Sequence, residues 1–214
     1  MQLEHAEHTL ETIRTLMDRS QRYEHISGYS GLVAGSAVLT GCAALAGHWL
    51  PYAPQTCFLV VWSVVFAVAA TAHGLLTFAR ARRRDEPVWS RQARTVLLAV
   101  LPSFVASLAV SVALWRADHL EMLPALWLMF YGCGALATGF FAPRSIARLG
   151  MICLGLAITG LLVLPDAPLL TMALGFGMTH LGFGVCVLTT ERREAREQAF
   201  WTNVQRLAGT ETIE

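Results

Sequence analysis

The chain has 214 residues, of which 55% are hydrophobic and 14% charged, and its mean hydropathy is +0.50. A soluble domain carries about 25% charged residues, so this composition leaves too little polar surface to coat a water-soluble globule. The formal net charge of +1 gives no argument for direct nucleic-acid binding, and the N-terminal residues lack the apolar core of a secretory signal peptide.

The first predicted element is a cytoplasmic amphipathic helix over residues 1–27. Its apolar residues recur at spacings of three and four, with acidic and basic residues between them. Such a stripe is typical of helices that lie on a membrane, dock on a bundle or pair with a partner helix. Because the segment is acidic, we favour docking or pairing over anionic-lipid binding. The predicted partner-binding residues are Leu3, Leu10, Ile13 and Met17.

Six apolar runs follow, and each comes close to the 20 or so residues that a helix needs to span a membrane. Hydrocarbon cannot satisfy open backbone groups, so the spans should be helices. We therefore expect an all-α integral membrane protein with a six-helix transmembrane bundle over residues 28–189 and a cytoplasmic helical tail over residues 190–214. The predicted spans are Gly31–Leu50, Thr56–Phe78, Val96–Trp115, Leu123–Phe141, Leu149–Leu164 and Leu169–Leu188.

The placement of arginine predicts the orientation of these spans. All 16 basic residues are arginine, and 15 of them fall before span 1, between spans 2 and 3, between spans 4 and 5, or after span 6. Arg116 alone lies on the other side. Under the positive-inside rule both termini are cytoplasmic and the spans form three up-down hairpins. The protein should then be a multi-pass protein of a bacterial inner (cytoplasmic) membrane, with the lipid bilayer as its surroundings.

Span 1 carries small residues four positions apart, beginning with Gly31 and Gly35. This spacing lets two helix backbones approach closely. We expect the contact to lie inside the bundle rather than between two copies of the chain.

Two histidines, His73 and His180, fall inside predicted spans 2 and 6. A histidine in hydrocarbon needs a partner. One interpretation is a neutral imidazole bonded across helices, for example to Thr71, Tyr131 or Thr179, and a second is a small-molecule or lipid pocket. The alternative is a pair of haem or metal ligands, for which a depth difference of about 7 Å between the two rings is awkward.

Span 3 carries Ser103, Ser107 and Ser111 on one helix face, directly after Pro102. These hydroxyls either coat a cavity or a transport path, or bond their own i−4 carbonyls in a tightly packed helix. The apolar cores of the six spans contain no Asp, Glu or Arg, which argues against an ion-coupled carrier.

The cysteine spacing and the absence of familiar catalytic motifs favour a protein that is not an enzyme. The five cysteines lie in apolar runs without CxxC spacing, as packing residues do. The sequence has no P-loop, GxSxG, HExxH or dinucleotide-binding motif. We predict no cofactor and no metal, with haem held by His73 and His180 as the stated alternative.

Three segments carry a resemblance to a group of uncharacterised bacterial six-span membrane proteins. They are the run from Glu11 through Ser27-Gly-Tyr-Ser-Gly31 to Gly35, the run Trp127-Leu-Met-Phe-Tyr-Gly-Cys-Gly134, and the run Thr179-His-Leu-Gly-Phe-Gly184. The resemblance implies a bacterial cytoplasmic membrane. It also implies a sensing or regulatory role, because a winged-helix regulator is often encoded next to such proteins. It carries no activity and no catalytic residue.

The functional hypothesis from the sequence is a non-enzymatic membrane protein that binds a lipid, a small hydrophobic ligand or a cytoplasmic or membrane protein partner. A haem- or metal-binding redox subunit and a small transporter or channel are the two alternatives.

Overall fold

The structure, a computed structural model, describes residues 27–83, 87, 89–140, 142 and 144–210, and its regular elements in these ranges are all helical. The predicted N-terminal stripe of Leu3, Leu10, Ile13 and Met17 lies outside the described residues. A 3₁₀ turn, Leu120–Met122, precedes α4, and a π-helical segment, Ala173–Met178, joins α6 to α7 without a break. The helices are α1 Gly28–Ala46, α2 Pro54–Arg83, α3 Arg91–Arg116, α4 Leu123–Thr138, α5 Arg144–Leu162, α6 Pro168–Met172 and α7 Thr179–Thr210.

Six helical segments among the described residues are long and apolar enough to cross a membrane. They are α1 to α5, with the 3₁₀ turn included in the fourth, and the continuous stretch Pro168–Val204. This confirms the prediction of an all-helical protein with six candidate membrane spans. The fifth span has the shortest apolar run. Its helix begins at Arg144 and has 19 residues, which is long enough to cross a membrane.

Several helix ends differ from the predicted bounds, and two of the differences have clear local reasons. The first span was expected to reach Leu50, but α1 ends at Ala46 because Gly47 caps it and His48 adopts a left-handed backbone conformation with φ 51°. At the other end of the chain no break separates the sixth span from the predicted tail at residue 190. The charged residues that follow Thr190 favour helix, so α7 continues to Thr210.

A close backbone contact joins α1 to the last span and is built from glycines. A Cβ atom added at Gly184 would lie 2.6 Å from the carbonyl oxygen of Gly28, and one added at Gly35 would lie 2.7 Å from that of Gly177. Gly31 lies in the same way against the carbonyl oxygen of His180. The small residues of span 1 therefore pack inside the bundle, as predicted, and let the two backbones touch.

The other helices divide into a packed centre and two flanking helices. Gly132 of α4 and Gly150 of α5 bring those two helices together, and Gly134 of α4 lies against Ser103 of α3. By contrast α2 packs mainly on α1, α3 packs mainly on α4, and the two share little contact with each other. No residue of α3 whose exposure is described is buried. A groove is therefore left between α2 and α3.

Polar contacts connect α2 to neighbouring segments at both ends of the bundle. The Gln55 amide donates a hydrogen bond to the Asp118 carboxylate, which joins the start of α2 to the turn after α3. At the opposite end, where the arginines cluster, Arg80 of α2 pairs with Glu191 of α7. These contacts hold α2 against the bundle where its apolar packing is thin.

The glycine contact can be tested with Gly184→Ala. The added methyl group has no room between α7 and α1, so we expect a loss of about 1–3 kcal/mol of stability, as for other overpacked sites. The measurement is the midpoint of thermal unfolding of the purified protein in detergent.

Gly182→Ala is the matched control, because a Cβ atom at Gly182 has nothing within 4 Å. It should leave the midpoint unchanged or raise it slightly, since alanine favours helix over glycine. Equal midpoints for the two variants would contradict the packing described here.

Candidate functional site

The groove between α2 and α3 contains a cavity of about 240 Å³ that is open on one side. Its polar lining comes from His73 of α2, Ser103 and Ser107 of α3, and Tyr131 and Thr138 of α4. The rest of the lining is apolar, including two phenylalanine rings, and no charged side chain of the residues that the structure describes belongs to it. This mixture of an apolar wall and a few polar groups is typical of small-molecule sites, although most such pockets are somewhat larger, about 300–1,000 Å³.

Three polar groups in the cavity lack a protein partner. The imidazole of His73 and the hydroxyls of Ser103 and Ser107 make no hydrogen bond with any residue that the structure describes. Thr138 differs, because its hydroxyl donates to the carbonyl oxygen of Ala135 at 2.8 Å. Unpartnered groups of this kind are costly in hydrocarbon, so water, lipid or ligand atoms should satisfy them.

The position of His73 along α2 places it within the apolar part of the span. It lies seven residues, or about 10 Å, before Arg80, where the basic end of the helix begins. Arg80 and His73 also share one helix face, since seven residues make nearly two full turns. The cavity thus extends from the arginine-rich end of the bundle toward its middle.

Tyr131 forms the back wall of the cavity and connects it to the last span. Its hydroxyl lies 2.8 Å from Nε2 of His180, and Nδ1 of His180 lies 2.8 Å from the carbonyl oxygen of Phe176. A carbonyl only accepts, so Nδ1 carries a proton. In the neutral ring Nε2 then accepts, and the Tyr131 hydroxyl donates to it.

The hydrogen bond between Tyr131 and His180 lies within an aromatic cluster. The Tyr131 ring meets the Phe176 ring edge-on at 5.3 Å between centroids, and the Phe176 ring stacks on the His180 ring at 5.9 Å. Together with the two hydrogen bonds, this packing fixes the orientation of the imidazole. His180 is therefore held as a partner of Tyr131 and does not face the cavity directly.

Side chains bond two backbone carbonyl oxygens of the π-helical segment. The wider turn of a π-helix disturbs the regular α-helical hydrogen bonds and leaves its carbonyl oxygens open to side-chain donors, and the Phe176 oxygen also accepts from the backbone N–H of Thr179. Here Thr179 donates to the carbonyl oxygen of Gly175, Cys153 of α5 lies 3.9 Å from that oxygen, and His180 donates to Phe176. π-Helical turns occur frequently at functional sites.

The structure separates the six predicted site residues into two groups. His73, Tyr131, Ser103 and Ser107 line the cavity, and His180 lies behind Tyr131. Ser111 is not part of the lining, because its hydroxyl donates to the carbonyl oxygen of Ser107 and accepts from the Trp127 indole, both at 2.7 Å. The i−4 bond predicted for the serine face is thus confirmed for Ser111.

The haem or metal alternative stays a prediction, but the geometry sets a condition for it. Both ring nitrogens of His180 are hydrogen-bonded, so ligation by His180 requires that either its bond to Tyr131 or its bond to Phe176 break. Within the described ranges no group of three or more His, Cys, Asp or Glu residues is placed to hold a metal ion.

The apolar part of the lining was not predicted from the sequence. Phe104, Phe130 and Ile146 look like lipid-facing residues in a one-dimensional pattern, and only the packing of α3 on α4 makes them cavity walls. Gly134 ends the sequence run that begins at Trp127. Its role, bringing α4 against Ser103, depends on which helix is its neighbour.

The three segments that carry the predicted resemblance meet at the last span, behind the cavity. Gly28 and Gly31 contact Gly184 of the last span, and Tyr131 bonds His180 in the same stretch of that span. No family model, no curated protein and no solved structure matches the chain. The resemblance therefore stays a prediction, while the convergence of its segments is a property of this fold.

The bond between Tyr131 and His180 can be measured by a double-mutant cycle with Tyr131→Phe and His180→Phe. Hydrogen bonds between membrane helices contribute about 0.6 kcal/mol on average and up to about 1.7 kcal/mol. We expect a coupling energy in that range from unfolding in detergent, because both variants keep a ring in the aromatic cluster.

A second cycle provides the control, with Tyr131→Phe combined with Thr189→Val near the charged part of α7. Thr189 bonds only the carbonyl oxygen of Cys186 in the same helix, so this cycle should give no coupling. A coupling of zero for Tyr131 with His180 would show that the hydrogen bond contributes nothing to the fold.

Proposed function

We propose that this chain is a non-enzymatic membrane protein that binds a neutral amphiphile in the cavity between α2 and α3. The observation that carries the proposal is the set of unpartnered polar groups, His73, Ser103 and Ser107, in an otherwise apolar cavity at membrane depth. A ligand that bonds these groups and places an apolar body against the phenylalanine rings removes the cost of leaving them unpaired.

The chemistry of the lining favours a ligand without a formal charge. No Asp, Glu, Lys or Arg side chain among the described residues lines the cavity, so a charged head group would lose its hydration without gaining an opposite charge from them. Hydroxyls and an imidazole suit an alcohol, ester or carbonyl oxygen instead. The open side between α2 and α3 gives such a molecule a lateral route from the lipid.

We further propose that the protein spans a bacterial inner membrane as three up-down hairpins with both termini in the cytoplasm. The division of the arginines, 15 against one, supports this orientation. The contact of Arg80 with Glu191 at one end and that of Gln55 with Asp118 at the other are consistent with two separate polar faces.

A regulatory role is the second part of the proposal. Tyr131 contacts the cavity on one side and His180 on the other, and His180 belongs to the helix that packs on α1. Occupancy of the cavity can therefore bias the position of the last span and of the cytoplasmic ends next to it. A cytoplasmic or membrane protein partner that binds the N-terminal stripe would then bind more strongly or more weakly when the cavity is occupied.

The cavity can be tested with a long-chain alcohol that carries a diazirine, added to membranes that contain the full-length protein. Irradiation should cross-link the diazirine probe to α3 or α4 near Phe104 and Phe130. Ser107→Phe should reduce this labelling about tenfold, the change that a loss of about 1.4 kcal/mol in affinity produces, because the new ring occupies the cavity.

Ala109→Phe is the matched control, since Ala109 is exposed on α3 and is not part of the cavity lining. An unlabelled alcohol should compete with the probe, and a carboxylate or amine of equal chain length should compete less. Labelling that is the same in both phenylalanine variants would overturn the proposed site.

A further inference from the structure

Trp127 of α4 bounds the cavity on the side away from the arginine-rich end. Its indole donates to the hydroxyl of Ser111 in α3, and its ring stacks on the ring of Phe58 in α2 at 5.8 Å between centroids. One side chain thus joins α2, α3 and α4. Among the described residues of α3 and α4, the lining ends at Ser107 and Phe130, about one helical turn short of this junction. The cavity is therefore closed toward this end of the bundle and extends from it toward the arginines.

The contacts between α3 and α4 set the level of each lining residue along the bundle. A Cβ atom added at Gly134 would lie 3.4 Å from that of Ser103. Together with the bond between Trp127 and α3, this contact shows that the two helices run antiparallel. Ser107, one turn from Ser103, then lies level with Tyr131, which is one turn from Trp127. Ser107 and Tyr131 therefore form the closed end of the cavity, and Ser103 lies one turn nearer the arginines.

The three unpartnered polar groups all lie deep in the apolar part of the bundle. His73 lies about 10 Å before Arg80 along α2, and Ser103 lies nine residues, or about 13 Å, after Arg94 along α3. Ser107 lies one turn deeper still. The hydrogen-bonding capacity of the cavity is thus concentrated near the middle of the spans, where lipid supplies no hydrogen bond.

The part of the cavity near the arginines is apolar. Val96 and Ile146 line it, and they lie two residues after Arg94 and Arg144 respectively. Thr138 is the only polar residue of the described lining in this part, and its hydroxyl already bonds a carbonyl oxygen of its own helix. From the arginine-rich end inward, the lining is therefore apolar first and polar second.

We propose that the amphiphile in the cavity lies inverted relative to the lipids around it, with its polar group near Ser107 and its apolar chain toward Val96. This inference rests on the proposed function, since it concerns the ligand of the same cavity. A lipid of the adjoining leaflet places its head group among the arginines and its chains toward the middle of the membrane. The cavity has the opposite order of polar and apolar groups.

The arrangement also restricts the class of ligand. Three polar side chains can bond one hydroxyl or carbonyl oxygen, whereas a glycerol or sugar head group would leave further hydroxyls unpaired at this depth. The volume of about 240 Å³ is small for a small-molecule site, so it suits a single chain and not a diacyl lipid. The ligand is therefore a single-chain molecule with one small terminal polar group, such as a long-chain alcohol.

The orientation can be tested with two isomers of one straight-chain alcohol, added to membranes that contain the full-length protein. One isomer carries a diazirine beside the hydroxyl, and the other carries it at the far end of a chain that covers the distance of roughly 16 Å from Ser107 to Val96. After irradiation and peptide mapping, the first isomer should label α3 and α4 near Phe104 and Phe130. The second should label the chain near Val96 and Ile146.

The reversed pattern, or the same residues labelled by both isomers, would overturn the inverted orientation while leaving the cavity as a binding site. If neither isomer labels the cavity lining, the proposed function itself is wrong, and the orientation with it. The two failures are therefore distinguishable in one experiment.

Val96→Trp gives a second measurement, because the larger ring fills the arginine-rich end of the cavity. Labelling by the long alcohol with the diazirine beside its hydroxyl should fall about tenfold. A short alcohol with the same diazirine does not reach Val96 and should label as before, which also shows that the variant is folded. Leu98→Trp is the matched control, since Leu98 is 67% exposed and is not part of the lining. An equal loss of labelling by the short and the long alcohol would contradict the proposed orientation.

Discussion

The backbone contact between α1 and the last span is the constraint from which the candidate site follows. Glycines at positions 28, 31, 35, 177 and 184 let carbonyl oxygens of each helix approach the Cα atoms of the other. This closeness fixes the rotation of the last span and with it the direction of His180. His180 in turn holds Tyr131, which is the back wall of the cavity. A larger residue in the glycine contact would therefore disturb a site to which it contributes no atom.

The cavity owes its open side to the way the flanking helices are held. A membrane gives helices no hydrophobic reason to associate, so each contact needs close packing or a polar bond. α2 obtains these from α1 and from its two end contacts, and α3 obtains them from α4, through Gly134 beside Ser103 and through the bond of Ser111 with Trp127. Little holds α2 to α3, and the polar groups that face the gap stay unpartnered. A cavity with unpartnered polar groups can arise in this way wherever two neighbouring helices do not pack against each other.

Much of the fold was predictable because it depends on one-dimensional quantities: the lengths of apolar runs and the spacing of small residues. The six candidate spans and the inward face of Gly31 and Gly35 belong to this class. The candidate site was predictable only in part, since an unusual residue such as His73 or His180 is visible in the sequence but its neighbour is not. The two histidines have different roles, one in the cavity and one behind it, because they lie on helices with different neighbours. The end of α1 at Ala46 and the π-helical segment depend on local backbone geometry that hydropathy does not report.

The π-helical segment takes up one extra residue in the last span. A π turn contains about one residue more than an α turn, so the six residues from Ala173 to Met178 turn through nearly the same angle as five residues of a regular helix. Deleting one of these six residues would restore a regular helix and leave Gly184 facing Gly28 and His180 facing Tyr131. A deletion in the regular helix between His180 and Gly184 would instead turn Gly184 away from Gly28 by about 100°. The π-helical segment is therefore the part of this span that tolerates the loss of one residue.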